Sequence, residues 1–188
     1  MTARALIRRS LFGTALLGFA LFTLGPSRAS AGTAASPVAF TIPDQVHHKL
    51  AMLPWYGVFD NLAYQVNGTE VTLSGQVTSE HAITKDDAGK SVSSIPGITK
   101  VVNNIEVLPP SRYDDQIRRM EYRSIFSQSD LGGYSMGAIP QLHIIVKGGH
   151  VSLEGVVMNK MDRTIAGIAA NTVPGVFSVE NNLKIAEG

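Results

Sequence analysis

Hydrophobic and polar residues alternate with a period of two in two stretches of the chain, residues 62–73 and 142–153. A short glycine-containing turn interrupts each stretch, Gly68-Thr69 in the first and Gly148-Gly149 in the second. Alternation on both sides of such a turn predicts a β-hairpin with one buried face. The residues predicted to face the core are Leu62, Tyr64, Val66, Val71 and Leu73 in the first hairpin and Leu142, Ile144, Val146, Val151 and Leu153 in the second.

Amphipathic helices are predicted on either side of the first hairpin. Val46, Leu50 and Leu53 follow one another at helical spacing, and a proline directly after them ends the helix. The helices that follow the two hairpins are predicted to begin at the N-cap residues Ser79 and Asn159. Each ends at a Pro-Gly pair, after which a last apolar strand closes a three-stranded sheet.

Gly75 and Gly155 occupy matching positions, two residues beyond the last core residue of each hairpin. Alternation puts both on the inward face, where the lack of a side chain predicts a close crossing by the second helix. The two glycines are thus predicted to serve helix–sheet packing.

The chain contains two copies of one unit. The matching blocks are residues 66–77 with 146–157, residues 95–98 with 173–176, and residues 44–46 with 115–117. The offset rises from 71 to 80 between the first helix and the hairpin, so the second copy has nine additional residues there. They lie within residues 127–138, a Gly-rich stretch predicted to expose Leu131, Tyr134 and Met136.

These elements predict an α+β fold of two tandem, small two-layer domains. Each domain has the order helix-strand-strand-helix-strand, with a three-stranded mixed sheet covered by two helices. The predicted domains are residues 43–108 and 113–186, joined by a short linker at 109–112. Small and polar residues at 32–42 predict a flexible tether.

Residues 1–31 have the layout of a cleaved signal peptide: a basic start, an apolar run and the small residues Ala29-Ser30-Ala31. We expect export to the periplasm with cleavage near Ala31. An uncleaved anchor is the alternative, although the apolar run is shorter than the roughly 20 residues of a membrane span. Arg8 and Arg9 leave both the general and the twin-arginine export routes open.

Composition narrows the classes of partner. The chain has no cysteine, which excludes disulfides and thiolate metal sites. Removal of residues 1–31 takes away four arginines, which leaves twelve basic residues against fifteen acidic ones and a net charge of −3. A mildly acidic product argues against nucleic-acid binding, and attraction to anionic lipid must be local.

The order and spacing of these motifs resemble the BON family, found in bacterial osmotic-stress and envelope proteins. The resemblance rests on Val71-x-Leu73-x-Gly75-x-Val77 and its twin Val151-x-Leu153-x-Gly155-x-Val157, each followed by Pro-Gly and by Val-x-Asn-Asn-[Ile/Leu] at 101–105 and 179–183. It covers residues 42–108 and 113–186. It implies a periplasmic stress-response or envelope protein that binds phospholipid or envelope partners and carries no catalytic residues.

No pattern in the sequence predicts catalysis, a cofactor or a metal site. The histidines are interpreted as solvated surface residues, and they are His47, His48, His81, His143 and His150. In the predicted register His143 lies opposite Glu154 on the outward face. Such a pair offers two ligands, whereas a metal site usually has three or four protein ligands.

The first helix of the second copy, residues 112–126, is the best candidate for a binding surface. A helical wheel directs four residues to the core: Tyr113, Ile117, Met120 and Ser124. A second face carries arginines flanked by aromatic residues: Arg112, Arg119, Tyr122, Arg123 and Phe126. Such a face suits a lipid headgroup region, with Tyr134 and Met136 as a second contact.

The leading hypothesis is therefore weak association of the second domain with anionic phospholipid or a membrane surface. A competing interpretation is a solvated helix face whose arginines pair with Asp115 and Glu121. A different class of function is a periplasmic chaperone or assembly adaptor that binds envelope proteins through sheet edges or the groove between the copies. The oligomeric state is left open.

Overall fold

The computed structural model of the chain describes residues 40–137 and 139–186. The predicted signal peptide and nearly all of the predicted tether lie outside these residues. Among the helices of this part of the chain, none is long and apolar enough to cross a membrane.

Each copy has the predicted order of helices and strands. The first copy consists of α1 (Ile42–Ala51), β1 (Asn61–Asn67), β2 (Glu70–Val77), α2 (Ile83–Ser93), β3 (Lys100–Asn103) and β4 (Glu106–Val107). The second consists of α3 (Arg112–Phe126), β5 (Leu142–Lys147), β6 (His150–Val157), α4 (Lys160–Asn171), β7 (Ser178–Asn181) and β8 (Lys184–Ile185). Short 3₁₀ turns at Ser79–His81 and Gly132–Ser135 complete the two copies. The predicted α+β fold is confirmed.

The two sheets share one topology. β1 pairs antiparallel with β2, whereas β3 and β4 both run parallel to β2, so one interrupted strand fills the third position of a mixed sheet. β5–β8 repeat this arrangement. The predicted hairpin register is confirmed, since Tyr64 lies opposite Leu73 and Ile144 lies opposite Leu153.

In both copies the third strand is interrupted, and an asparagine lies at the break: Asn103 at the end of β3 and Asn181 at the end of β7. Asn103 donates a hydrogen bond to the Lys85 carbonyl of α2 at 2.7 Å and accepts one from the Ile105 amide at 3.2 Å. Asn181 does the same with Arg163 and Leu183. Each amide group therefore ties the helix to the strand and satisfies the backbone at the break.

The starts of the helices agree with the prediction in one copy only. Asn159 caps α4, because its side chain accepts a hydrogen bond from the Asp162 amide at 2.9 Å. Ser79 is not the cap of α2, and that prediction is wrong. Asp60 accepts hydrogen bonds from the Thr78 amide and from His81, which holds a 3₁₀ turn here and delays α2 until Ile83.

Two clusters of apolar side chains, one in each copy, lie between the helices and the sheets. The cluster of the first copy is built around Val46, Leu50, Val71, Leu73, Val92 and Ile105. The larger cluster of the second copy is built around Ile117, Ile125, Leu131, Leu142, Ile144, Leu153 and Leu183. Burial of each such side chain contributes about 1.5–3 kcal/mol.

Gly75 and Gly155 lie close to the backbone of the neighbouring strand, whereas the prediction was that the second helix crosses close to them. A Cβ atom on Gly75 would lie 2.1 Å from the Asn61 carbonyl oxygen, and one on Gly155 would lie 2.1 Å from that of Gln141. The close neighbour is thus the backbone at the start of the adjacent strand, not the second helix. Both glycines also have a φ of +111°, which L residues with side chains rarely adopt.

We expect Gly75→Ala and Gly155→Ala each to lower the free energy of unfolding by about 2–4 kcal/mol, because the unfavourable φ and the overpacking add together. Gly68→Ala is the matched control. Gly68 also has a positive φ, but a Cβ there would have no neighbour within 4 Å. We expect it to cost only about 1 kcal/mol. Urea denaturation measures all three, and equal losses would contradict the steric explanation.

Candidate functional site

Helix α3 carries the predicted binding residues, and its buried face differs from the predicted one. Ile117 is fully buried, but Tyr113 is 44% exposed and Met120 and Ser124 are only partly buried. The helix instead buries Asp114, Ile117, Arg118, Glu121 and Ile125. The helix is rotated relative to the prediction because three charged residues lie on its inner side.

Two of these charged residues have partners that account for their burial. Asp114 accepts hydrogen bonds from the amides of Gly148 and Gly149 at 2.9 and 2.8 Å, which fixes the β5–β6 turn. Arg118 donates to the Val146 carbonyl at 2.7 Å and forms an ion pair with Asp115. These contacts attach α3 to the outer edge of β5.

Glu121 is the third charged residue and lacks such partners. Its side chain is fully buried, and neither carboxylate oxygen accepts a hydrogen bond from any residue that the structure describes. Burial raises the pKa of Glu121 from 4.5 to about 8. The residue is therefore protonated and neutral in the folded protein at neutral pH.

The opposite face of α3 exposes most of the predicted site residues. Arg112, Arg119, Tyr122 and Arg123 are all exposed, and we call them the arginine face. Among the ion pairs within residues 40–137 and 139–186, none involves an arginine of this face. The pairing of these arginines with Asp115 and Glu121 is wrong, since Asp115 pairs with Arg118 and Glu121 is buried. The solvated helix face of the competing interpretation agrees with the exposure of the arginines.

A segment of the first copy, residues 54–60, contacts the second copy, and we call it the docking segment. The Ile144 amide of β5 donates a hydrogen bond to the Val58 carbonyl at 2.8 Å. The side chains of Val58 and Phe59 pack against the core of the second copy. Asp60, fully buried, holds the end of the segment through the hydrogen bond from Thr78.

Phe59 extends the arginine face with an aromatic ring from the other copy. Its ring centroid lies 6.2 Å from that of Tyr122, which in turn lies 4.9 Å from that of Phe126. Phe59, Arg119, Tyr122 and Arg123 line a shallow hollow of about 310 Å³. Phe126, predicted as part of the site, is partly buried and supports Tyr122 from below.

The docking segment also covers His143, which was predicted to be solvated. His143 is only 5% exposed, because Tyr56 stacks on its ring with centroids 5.3 Å apart. Its Nδ1 lies 3.2 Å from the Gly57 carbonyl oxygen. Burial lowers the pKa of His143 below its ordinary value. The other four histidines are exposed or partly exposed, and His81 is paired with Asp60.

The nine-residue insertion is more ordered than predicted. Leu131 is fully buried and Tyr134 is 6% exposed, so the prediction that both are exposed is wrong. The Tyr134 hydroxyl donates to Asp162 and accepts from the Met158 amide at 2.8 Å, which attaches the insertion to the start of α4. Met136 is 73% exposed, as predicted.

Comparison with known proteins identifies the repeated unit. The family model described as "BON domain" matches residues 44–109 and 131–187. This match confirms the resemblance found in the sequence. No curated protein matches the chain significantly.

Two solved structures of CdsD, a structural protein of the Type III secretion system of Chlamydia trachomatis, are similar to the chain. The first has 12% identity and a TM-score of 0.29, and the match covers 78% of this chain and 93% of that one. The second, a C-terminal domain, has 13% identity and a TM-score of 0.26, with 76% and 96% covered. Similarity at this level supports no inference about the present chain.

We expect Glu121→Gln to remove one component of the pH dependence of stability. The folded protein holds the Glu121 proton up to about pH 8, whereas the unfolded chain releases it near 4.5. The wild type should therefore lose stability relative to the variant as pH rises from 4.5 to 8, with no further change above that range. Thermal unfolding of both proteins across this range measures the difference.

Glu180→Gln is the matched control, because it makes the same side-chain change at an exposed position. Glu121→Leu should raise stability at neutral pH by about 1–3 kcal/mol, because it removes a buried carboxyl group whose oxygens have no hydrogen-bond partner among the described residues. Parallel pH profiles for wild type and Glu121→Gln would contradict the assignment.

Proposed function

Because the chain belongs to the BON domain family, we propose that it is a non-catalytic periplasmic protein that associates weakly with anionic phospholipid through the arginine face. BON domains are typical of periplasmic and envelope proteins and in general bind membrane or phospholipid surfaces. The family is generally non-catalytic. The proposed domain limits are residues 43–108 and 113–186, with export directed by residues 1–31.

The observation that carries the proposal is the hollow between Arg119 and Arg123. Guanidinium groups form bidentate hydrogen bonds with phosphate oxygens, and neither of these two forms an ion pair with a carboxylate of the described residues. The floor of the hollow is aromatic, formed by Phe59 and Tyr122. Aromatic rings favour the boundary between headgroups and acyl chains, so the two kinds of contact suit one membrane surface.

The expected affinity is low. Each basic residue close to an anionic surface contributes about 1 kcal/mol, so the three arginines together give only reversible association. The exported chain has a net charge of −3, so the attraction must be confined to this face. Met136, which is exposed and apolar, remains a proposed second contact. Tyr134 is left out of the proposed surface because its side chain is buried.

We expect Arg119→Glu combined with Arg123→Glu to abolish co-sedimentation of residues 32–188 with vesicles that contain anionic phospholipid. The substitution replaces attraction to phosphate by repulsion at the hollow. Binding of the wild type should also weaken as salt is raised, since exposed charges are screened over roughly 10 Å at 0.1 M salt. Neutral vesicles should not bind the protein.

Lys49→Glu combined with Lys90→Glu is the matched control, because it makes the same change in charge at exposed positions of the first copy. It should leave binding largely intact. Circular dichroism confirms that both double variants are folded. Unchanged vesicle binding by the folded Arg119 and Arg123 variant would overturn the proposal.

A further inference from the structure

The outer edge of β1 presents backbone groups that no described residue of the chain pairs. The Leu73 carbonyl accepts a hydrogen bond from the Asn104 amide, so Leu73 directs its backbone away from β1. In an antiparallel ladder its partner Tyr64 then also directs its amide and carbonyl away from β2. Leu62 has the same orientation, and its amide reaches only the Tyr56 hydroxyl, at 3.4 Å.

In the second copy the equivalent edge, that of β5, is closed. There the Ile144 amide, which corresponds to that of Tyr64, donates to Val58 of the docking segment, and the Val146 carbonyl accepts from Arg118. At the repeat offset of 71 the counterpart of Arg118 is His47, whose side chain is exposed and makes no such bond within the described part of the chain. The edge is thus capped in one copy and open in the other.

The open edge lies in a groove between the two copies, with a volume of about 720 Å³. Leu62 and Tyr64 form one wall, and Pro140, Val156 and Met158 belong to the opposite copy. Among the described residues, no Asp, Glu, Lys or Arg side chain lines the groove. Met158 is 68% exposed, and flexible methionine side chains adapt to varied apolar partners.

We propose that this groove binds an extended, uncharged polypeptide segment that adds to β1 as a further strand. The unpaired amide and carbonyl of Tyr64 select a polypeptide backbone, whereas an acyl chain would leave both groups without partners. A groove whose described lining contains no Asp, Glu, Lys or Arg favours uncharged side chains, since a charged one would lose its hydration without gaining an oppositely charged partner. This site is separate from the arginine face.

The test uses residues 32–188 and a fluorescein-labelled seven-residue peptide of alternating valine and threonine with blocked termini. Fluorescence anisotropy should show saturable binding that salt does not weaken. Amide hydrogen exchange at Tyr64 should slow by about tenfold or more at saturation, as expected for a newly formed ladder hydrogen bond. The Ile144 amide, already bonded to Val58, serves as the internal reference.

Val156→Asp should weaken peptide binding by about tenfold or more, because it introduces a charge into the groove at a position that is 45% exposed. Ile168→Asp is the matched control, since Ile168 is 61% exposed on α4 and does not line the groove. The Arg119 and Arg123 double variant should bind the peptide normally, which separates this proposal from the lipid hypothesis.

Two peptides methylated on the backbone nitrogens of alternate residues complete the test, because only one set of amides faces β1 in an added strand. One peptide should bind and the other should not. Equal binding of both would show a groove for apolar chains of any kind and overturn the proposal. Absence of binding, or concentration-dependent dimerisation that blocks the Tyr64 edge, would overturn it as well.

Discussion

The hydrogen bond from the Ile144 amide to the Val58 carbonyl helps to hold the two copies together. Without it the β5 edge would hold an unpaired amide, at a cost of about 1–3 kcal/mol if the site stayed buried. The same contact brings Phe59 against Tyr122 and Tyr56 against His143. The aromatic floor of the arginine face and one wall of the groove therefore both depend on seven residues between α1 and β1.

The two copies share one fold but differ in which polar groups they bury. The differences lie at equivalent positions of their first helices. Leu50, an ordinary core residue, corresponds to the buried Glu121, and His47 corresponds to Arg118. In the second copy Arg118 caps the sheet edge and Asp114 caps the hairpin turn. The first copy keeps the plainer apolar helix and the more open edge.

Local sequence patterns predicted the helices, strands and hairpin register. The features that they did not predict depend on contacts between residues far apart in the sequence. The alternation around Gly68 and Gly148 was sufficient to predict both hairpins and their register. The face on which each side chain of a strand lies follows from its position in the alternation, and the turn fixes which residues pair. His143 stands on an outward face by the same rule, yet a segment more than eighty residues earlier covers it. The buried face of α3 was predicted wrongly, because Asp114 and Arg118 are buried through hydrogen bonds to the backbone of distant residues. The spacing of apolar residues along a helix contains no information about such contacts. The exposed positions of Arg119, Tyr122 and Arg123 were nevertheless foreseen, while the contribution of Phe59 was not.

The docking segment also sets an order of events during biosynthesis. Residues 54–60 leave the ribosome before β5. The first copy contains its own apolar core, so it can fold and present Val58 and Phe59 before the second hairpin arrives. We expect the second copy to fold against this surface, so that the Val58 carbonyl is available to the Ile144 amide as β5 forms. In the reverse order β5 would be synthesised before the segment that covers its edge, and uncovered strand edges favour aggregation.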